Sequence, residues 1–257
     1  MLLKASLHIH TSEDKKDGHM IGYNVYQLID EAEKRGFKVL GYTPHKKFVF
    51  RKEFADYAKN KGLLLIPGVE RGLGRFFNQH VIILNCDQTV EKVKTLKQLA
   101  KYKNQHPEIF ILAPHPTYSR LISLGARNLK KYIGLFDAIE YSFAYSKKMN
   151  SHNKKAQAIA ARYRKPIIST ADAHVLKKLN TDFAVIDAVD FTITDVLQAV
   201  KYGRFANVTL PKPPFALVVY YTNFIIKYYL KYIQVRILGL RPKRLATATE
   251  PTTFMLI

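Results

Sequence analysis

The chain has 257 residues, of which 47% are hydrophobic and 24% are charged, as in a globular protein with a full-sized core. Its 12 Gly, 11 Pro, 16 Tyr and 15 Phe exclude a collagen, a coiled coil and a mainly disordered chain, and its single cysteine, Cys86, excludes a disulfide framework and a thiolate metal cluster. The formal net charge of +21 favours anionic partners such as phosphorylated substrates, nucleic acid or an acidic membrane surface.

Strand-like and helix-like patterns alternate over the first 205 residues. Apolar alternation and short apolar runs predict strands at residues 2–10, 37–43, 63–67, 81–84, 109–113, 137–142, 166–170 and 183–186. Apolar residues at helical spacing predict helices at 25–36, 51–62, 89–102, 126–132, 149–164 and 193–202. Such alternation indicates βα units and a mostly parallel sheet, and about seven units suit a barrel better than a small open sheet.

The alternation ends near residue 210. A Pro-Lys-Pro-Pro segment at 211–214 predicts a stiff linker, and we expect a barrel domain at 1–210 and an extension at 211–257. Within the extension, residues 215–240 are apolar and rich in Tyr, with a narrow polar stripe at helical spacing formed by Asn223, Lys227, Lys231 and Gln234. The tail at 241–257 is expected to be disordered.

Three basic residues within 215–240 argue against a membrane-spanning helix. Two alternatives remain for this amphipathic stretch. It either lies in the interface of an anionic membrane, or packs on the barrel or on a second subunit. The N-terminal residues show neither the long apolar stretch nor the cleavage site of a signal peptide, so we expect a cytoplasmic protein that associates at most peripherally with a membrane.

Potential metal ligands follow the predicted strands. His8 and His10 are two residues apart on the first strand, so both side chains lie on one face. Further imidazoles and carboxylates come at the ends of four other strands, at His45, Glu70, His115, Asp172 and His174. Because the carboxyl ends of parallel barrel strands share one rim, we expect these residues to converge there.

The ligand types indicate catalytic metal ions. Imidazole with carboxylate and without thiolate suits Zn²⁺, Mn²⁺ or Fe. There are more ligands than one ion needs, so two or three divalent ions that share a carboxylate are expected. Such ions lower the pKa of bound water, supply hydroxide at neutral pH and hold the oxygens of a phosphate during attack.

The motifs, in their order, resemble those of the polymerase and histidinol phosphatase (PHP) family. They are H-x-H-T at 8–11, D-G at 17–18, T-x-H at 43–45, G-V-E at 68–70, a following His, P-H-P at 114–116 and D-A-H at 172–174. The resemblance covers about residues 3–205. It implies a distorted (β/α)7 TIM-like barrel, here with a C-terminal helical extension, and a phosphoesterase with three metal ions.

The resemblance also implies a ligand set. It assigns His8, His10, Glu70 and Asp172 to a first ion, Glu70, His80 and His115 to a second, and Asp17, His45 and His174 to a third. The catalytic hydroxide is expected at the first group. His80 begins an apolar run instead of ending one, so its assignment rests on the family pattern, and Asp17 competes with Asp14 and His19 in the same loop.

One position departs from the family. An acid or amide usually precedes the histidine of the second motif, whereas this sequence has Pro44, which puts a hydrogen bond to His45 in question. Arg71, Arg75 and Arg120 follow two ligand motifs, where a guanidinium could hold a substrate phosphate, and Arg120 is preferred. Surface roles are expected for two histidines outside the pattern, His106 and His152.

Three functions compete. The leading hypothesis is a phosphatase that hydrolyses a small phosphomonoester through a metal-activated hydroxide, with two or three Zn, Mn or Fe ions as cofactors. The second is a 3′-5′ exonuclease or nucleotide phosphatase, in which the positive charge serves the nucleic-acid backbone. The third is a non-catalytic scaffold that residues 215–240 recruit to a membrane.

Overall fold

The computed structural model describes residues 1–74, 79–119 and 122–219, together with residues 222, 226 and 230. The chain forms two compact units, Met1–Pro214 and Phe215–Ile257. All described strands belong to the first unit, which extends slightly beyond the boundary expected at residue 210.

Nine strands form one sheet in the part of the chain that the structure describes. They are β1 (Leu2–Ile9), β2 (Val39–Tyr42), β3 (Leu64–Leu73), β4 (Gln79–Leu84), β5 (Phe110–Ala113), β6 (Ala138–Tyr141), β7 (Ile167–Ser169), β8 (Asp182–Asp187) and β9 (Phe205–Thr209). Their order across the sheet is β7-β6-β5-β4-β3-β2-β1-β8-β9. Eight of the strands lie where the sequence predicted them. The short exposed β9, which pairs with β8, was not predicted.

Only half of the strand pairs are parallel, so the expectation of a mostly parallel sheet was wrong. Strands β1, β2 and β3 are parallel to one another, as are β5, β6 and β7. Strand β4 is antiparallel to both of its neighbours, and β8 is antiparallel to β1 and β9. The connection from β3 to β4, residues 74–78, is too short for the helical crossover that parallel strands need.

Six α-helices cover the sheet at or near the predicted positions. They are α1 (Val25–Lys34), α2 (Lys52–Asn60), α3 (Leu96–Gln105), α4 (Gly125–Lys131), α5 (Ser151–Arg162) and α6 (Ile193–Lys201). Only the predicted helix at 89–102 differs, because it divides into a 3-10 turn at Gln88–Lys92 and α3. Thr95 begins α3 by accepting a hydrogen bond from the Gln98 amide.

The two ends of the sheet meet, which makes it a nearly closed barrel. The Asn207 side chain in β9 accepts a hydrogen bond from the Ser169 amide at 2.7 Å and donates one to the Ile167 carbonyl at 2.8 Å. These bonds link β9 to β7 across the seam, as the backbone of a neighbouring strand would. The α/β fold is therefore the distorted, TIM-like barrel that was expected.

The C-terminal unit is helical at residues 215–219 and at 222, 226 and 230. Apolar side chains are exposed here, including Phe215 (78%) and Leu230 (56%). No helix in the described part of the chain combines the length and apolar character needed to cross a membrane. The rest of the predicted stretch at 215–240 and the predicted disordered tail lie outside the described residues.

Gly41 allows β1 and β2 to approach closely next to His8. The pairing of the two strands shifts register between Ser6 and Ile9, the kind of irregularity that re-aims side chains near active sites. A Cβ at Gly41 would lie 2.7 Å from the Leu7 carbonyl oxygen and 2.8 Å from its Cα. Both contacts are with backbone, which cannot rotate away.

We therefore expect Gly41→Ala to lower the free energy of unfolding by about 1–3 kcal/mol, because the added methyl group overpacks the β1–β2 contact. Urea denaturation followed by circular dichroism measures this. The matched control is Gly134→Ala, where an added Cβ meets no atom within 4 Å. Equal stability of the two variants would contradict the close approach.

Candidate metal centre

The structure brings the nine predicted ligands together at one edge of the barrel. His8 lies in β1, His10 directly after it, His45 after β2, Glu70 in β3, His115 after β5, and Asp172 and His174 after β7, while Asp17 lies in the loop between β1 and α1. His80 is the second residue of β4. Because β4 runs antiparallel, its beginning lies at the edge where its neighbours end. The direction of β4 thus explains why His80 comes at the beginning of an apolar run and not at its end.

The first group of atoms has the spacing of ligands around a single ion. The Nε2 atoms of His8 and His10 each lie 3.3 Å from Glu70 Oε2, and 3.3 and 3.4 Å from Asp172 Oδ1. Metal–ligand bonds of roughly 2.0–2.1 Å in a tetrahedron place neighbouring ligand atoms roughly 3.3–3.4 Å apart. The ligand atoms of His8, His10 and Asp172 lie within 4.8 Å of one another, as for one ion, and Glu70 contacts both imidazoles of this group.

Glu70 faces a second group with its other oxygen. Its Oε1 lies 2.5 Å from His80 Nδ1 and 3.4 Å from His115 Nε2. Both imidazoles are buried, and the Glu70 side chain is 1% exposed. One carboxylate therefore lies between two sets of imidazoles, which is the arrangement of a bridging ligand.

The third group is looser and differs from the family assignment. His174 Nε2 lies 4.0 Å from Asp17 Oδ2, within reach of a shared ion. His45, however, turns its Nε2 towards Glu70 Oε2 at 2.9 Å, and its Nδ1 lies 3.7 Å from Asp17 Oδ2. His45 thus lies close to members of all three groups, because its potential ligand atoms are within 4.8 Å of those of His10 and His174 as well as those of Glu70 and His80.

A carboxylate that the sequence did not predict supports the first two groups. Glu140, in β6, accepts a hydrogen bond from His8 Nδ1 at 2.9 Å and one from the His115 backbone amide at 2.5 Å. Thr170 also donates a hydrogen bond to it. A carboxylate on the far nitrogen of a metal-binding histidine fixes the ring and its tautomer. In the sequence, Glu140 could have been noticed as an acidic residue within the apolar strand Ala138–Tyr141.

Backbone conformation is strained beside the centre. His115 and Asp172 have φ values of +29° and +43°, and Lys46, which follows His45, has +66°. Residues other than glycine rarely adopt this left-handed region, and such strain concentrates at functional sites. The turns after β2, β5 and β7 therefore hold these ligands in position at a conformational cost.

The carboxylates of the centre raise the pKa values of two imidazoles. Burial disfavours the charged form of His8, but Asp172, Glu140 and Glu70 outweigh it and raise the pKa of His8 to about 10. The pKa of His10 is likewise raised well above its ordinary value, because hydrogen bonds to carboxylates outweigh burial. Against the effect of burial, the imidazoles of His80, His45 and His8 hold the pKa of Glu70 well below the ordinary range. Those of His8, His10 and His174 do the same for the pKa of Asp172.

Two other histidines are neutral at physiological pH. Burial lowers the pKa of His80 and of His174 to about 4, and in His174 the charge of His10 adds to the effect. Neutral imidazole is the form that binds metal. The buried Nε2 of His10 and Oε1 of Glu70 form no hydrogen bond of good geometry among the described residues, although imidazole or carboxylate atoms lie close to both. The chemistry of the donor set and these two atoms fit divalent cations.

The structure assigns other roles to some predicted residues. The Arg71 guanidinium donates to the Lys46, Glu91 and Val93 carbonyls, so it anchors the loop after His45 instead of facing a substrate. Arg75 and the preferred Arg120 lie outside the described residues. His106 stacks on Tyr102 with 4.1 Å between ring centroids, and His152, predicted at the surface, packs against Tyr118 with an Nε2 atom that is buried.

No model of a known protein family matches the sequence, and no match was found among curated proteins. Solved structures do share the fold. One is a two-domain protein from Bacteroides vulgatus that contains a predicted PHP-like metal-dependent phosphoesterase, with a TM-score of 0.61, 17% identity, and coverage of 81% of this chain and 65% of that one.

Another similar structure is PfuEndoQ, a lesion-specific endonuclease from Pyrococcus furiosus (TM-score 0.58, 17% identity, 82% of this chain and 59% of that one). A third is an amidohydrolase from Chromobacterium violaceum with bound sulfate and no metal (TM-score 0.56, 13% identity, 79% and 97%). The chain thus spans less than two thirds of the first two proteins. At these identities the likeness establishes the barrel fold, which hosts more than one chemistry.

Metal binding should release protons. Below pH 10 His8 carries a proton in the metal-free protein, and that proton must leave before its Nε2 binds a cation. We expect the heat of Zn²⁺ binding at pH 7.5 to differ between Tris and HEPES, by an amount that corresponds to at least about one proton, and the apparent affinity to rise between pH 6 and pH 9. Isothermal titration calorimetry measures both quantities.

The control for this experiment is His106→Gln, outside the centre, which should leave the proton release unchanged. A binding heat that is the same in both buffers would contradict protonated imidazoles in the metal-free centre.

Proposed function

We propose that the protein is a phosphoesterase that depends on divalent metal ions, and that it hydrolyses small phosphomonoesters. The observation that carries this proposal is Glu70, whose two oxygens face two different groups of buried imidazoles. A shared carboxylate between neighbouring cations is the arrangement that supports phosphoryl transfer, because both cations can act on one phosphate. The fold shared with the PHP-like protein agrees with this function.

Each part of the centre has a role in this proposal. Two or three bound divalent ions, which would be Zn, Mn or Fe, would activate water and neutralise the charge of the phosphoryl group. His8 and Asp172 are oriented for the first ion, and Glu140 holds the His8 ring from behind. The side chains of Asp172 and His174 are 19% and 22% exposed, whereas those of His8 and Glu70 are buried, so substrate approaches from the side of Asp172 and His174.

We expect the purified chain to hydrolyse p-nitrophenyl phosphate when Mn²⁺ or Zn²⁺ is added and to lose the activity with a chelator. Glu70→Gln should reduce kcat/KM at least about 100-fold, because it removes a charge that both groups share. The control His106→Gln lies outside the centre and should retain activity. Turnover by Glu70→Gln equal to that of the unmodified chain would exclude the centre as the site of hydrolysis.

A nucleic-acid substrate is the second candidate, favoured by the net charge of +21 and by the endonuclease among the similar structures. Release of mononucleotides from a single-stranded oligonucleotide, with faster hydrolysis of bis-p-nitrophenyl phosphate than of the monoester, would support this candidate. Hydrolysis of the monoester alone would support the phosphatase. Salt dependence separates the two further, since contacts along a phosphate backbone weaken steeply as salt rises.

The C-terminal unit suggests an anionic membrane as a peripheral partner of the enzyme. Exposed apolar residues recur on one helical face, at Phe215, Val219, Ile226 and Leu230. Residues 215–257 contain six basic residues and one acidic residue, so the unit's charge complements anionic lipid. Apolar burial and electrostatic attraction are the two contributions that hold an amphipathic helix in a membrane interface.

We expect the full chain to float with vesicles that contain phosphatidylserine, less at high salt, and little with vesicles of phosphatidylcholine alone. The double variant Phe215→Glu, Ile226→Glu should lose flotation, because it places charges on the apolar face. The control Val189→Glu, Tyr202→Glu alters equally exposed apolar residues of the barrel unit and should still float. Equal flotation of the two double variants would remove the membrane partner and leave the phosphoesterase proposal intact.

A further inference from the structure

Asp14 contacts two of the candidate ligands at once. Its side chain is completely buried in the loop after β1. Asp14 Oδ2 accepts hydrogen bonds from His10 Nδ1 at 3.0 Å, from His45 Nδ1 at 2.8 Å and from the His45 backbone amide at 2.7 Å. The family pattern assigns these two histidines to different ions. One carboxylate oxygen therefore orients a residue in each of two groups.

Asp14 has no capacity left to bind a metal ion. Its Oδ1 accepts hydrogen bonds from the backbone amides of Lys16 at 2.7 Å and Asp17 at 3.1 Å, in addition to the three bonds to Oδ2. A carboxylate offers roughly four lone-pair sites, and these five bonds occupy all of them. Asp17 Oδ2 has only looser neighbours, 3.6 Å from Lys16 Nζ and 3.7 Å from His45 Nδ1. Of the two candidate acids, Asp17 is therefore the one able to bind metal.

These bonds determine which ring nitrogen of each histidine faces the centre. Because Nδ1 donates to Asp14, Nε2 is the atom available to a cation in both rings. His10 Nε2 lies 3.3 Å from Glu70 Oε2, and His45 Nε2 lies 2.9 Å from the same oxygen. The two rings stack with centroids 4.2 Å apart and planes 18° apart. Asp14 thus holds the rings parallel, with both Nε2 atoms directed at Glu70.

Asp14 also accounts for the unusual residue before His45. Pro44 has no side-chain hydrogen-bonding group, and its carbonyl accepts the Glu70 amide at 3.1 Å. The polar support for His45 therefore comes from the loop after β1, and not from the residue preceding the histidine.

We propose that Asp14 is a positioning residue that couples two metal sites through His10 and His45, in place of the acid or amide that Pro44 replaces. The inference rests on the proposed metal centre, but it does not require the proposed substrate. Coupling follows because any movement of the Asp14 carboxylate displaces both rings together. Loss of Asp14 should therefore weaken the binding of two ions, whereas loss of a metal ligand such as Asp17 should abolish the binding of one.

The test compares Asp14→Asn with Asp17→Asn in the full chain, by Zn²⁺ titration with equilibrium dialysis and elemental analysis. We expect Asp14→Asn to weaken binding of two ions about 10–100-fold each, with the full number of ions retained at saturation. Asp17→Asn should bind one ion fewer at saturation. If Asp14→Asn binds one Zn²⁺ ion fewer at saturation and Asp17→Asn binds the full number, Asp14 is a ligand and the proposal is wrong. If the Zn²⁺ affinities of Asp14→Asn stay within about twofold of those of the unmodified chain, the positioning role is excluded.

A second measurement uses the unmodified chain, in case Asp14→Asn fails to fold. In the Zn²⁺-loaded protein with ¹⁵N-labelled histidine, both His10 and His45 should show a protonated, hydrogen-bonded Nδ1 and a metal-bound Nε2, assigned with His45→Gln. The opposite tautomer at either ring would overturn the proposal. Neither measurement involves a substrate, so a chain that binds zinc as expected but hydrolyses no ester would refute the proposed function alone.

Discussion

A fully buried carboxylate needs positive charge around it, and Glu70 is such a carboxylate at the middle of the centre. Its side chain is 1% exposed, and imidazoles approach both oxygens. Desolvation of an unpaired carboxylate costs several kcal/mol, so the surrounding rings, protonated or bound to cations, are a condition of folding as well as of chemistry. The same requirement explains the raised pKa values of His8 and His10, because the surrounding carboxylates favour the protonated form of each imidazole.

The barrel supplies these rings because of how its strands run. Six strands end at the edge where the centre lies, and the antiparallel β4 begins there, so ligands that are distant in sequence meet. Positive φ values at His115 and Asp172 show that the turns after β5 and β7 are held in an unfavourable conformation. Such strain persists only where the surrounding structure determines the conformation, as the Glu140 hydrogen bond to the His115 amide does here.

Much of the barrel could be predicted from sequence, because apolar periodicity reflects burial directly. Eight strands and the helices followed from it, whereas the exposed edge strand β9 has no apolar pattern to detect. The direction of β4 has no signature in its own residues and depends on the short preceding connection. Ligand positions were detectable from residue type and strand ends. The orienting carboxylates were harder to predict, since the contact of Glu140 with His8 spans 132 positions of the sequence and that of Asp14 with His45 spans 31.

The distribution of charge follows from the same centre. Five of the chain's 20 acidic residues, Asp14, Asp17, Glu70, Glu140 and Asp172, lie in it. The rest of the chain therefore has 41 basic residues and only 15 acids to offset them. Bound cations would offset the negative charge of the centre, so that an approaching phosphate would meet positive potential both at the surface and at the metal ions. The high net charge follows from the small number of acids in the chain, and a quarter of those acids lie in the centre.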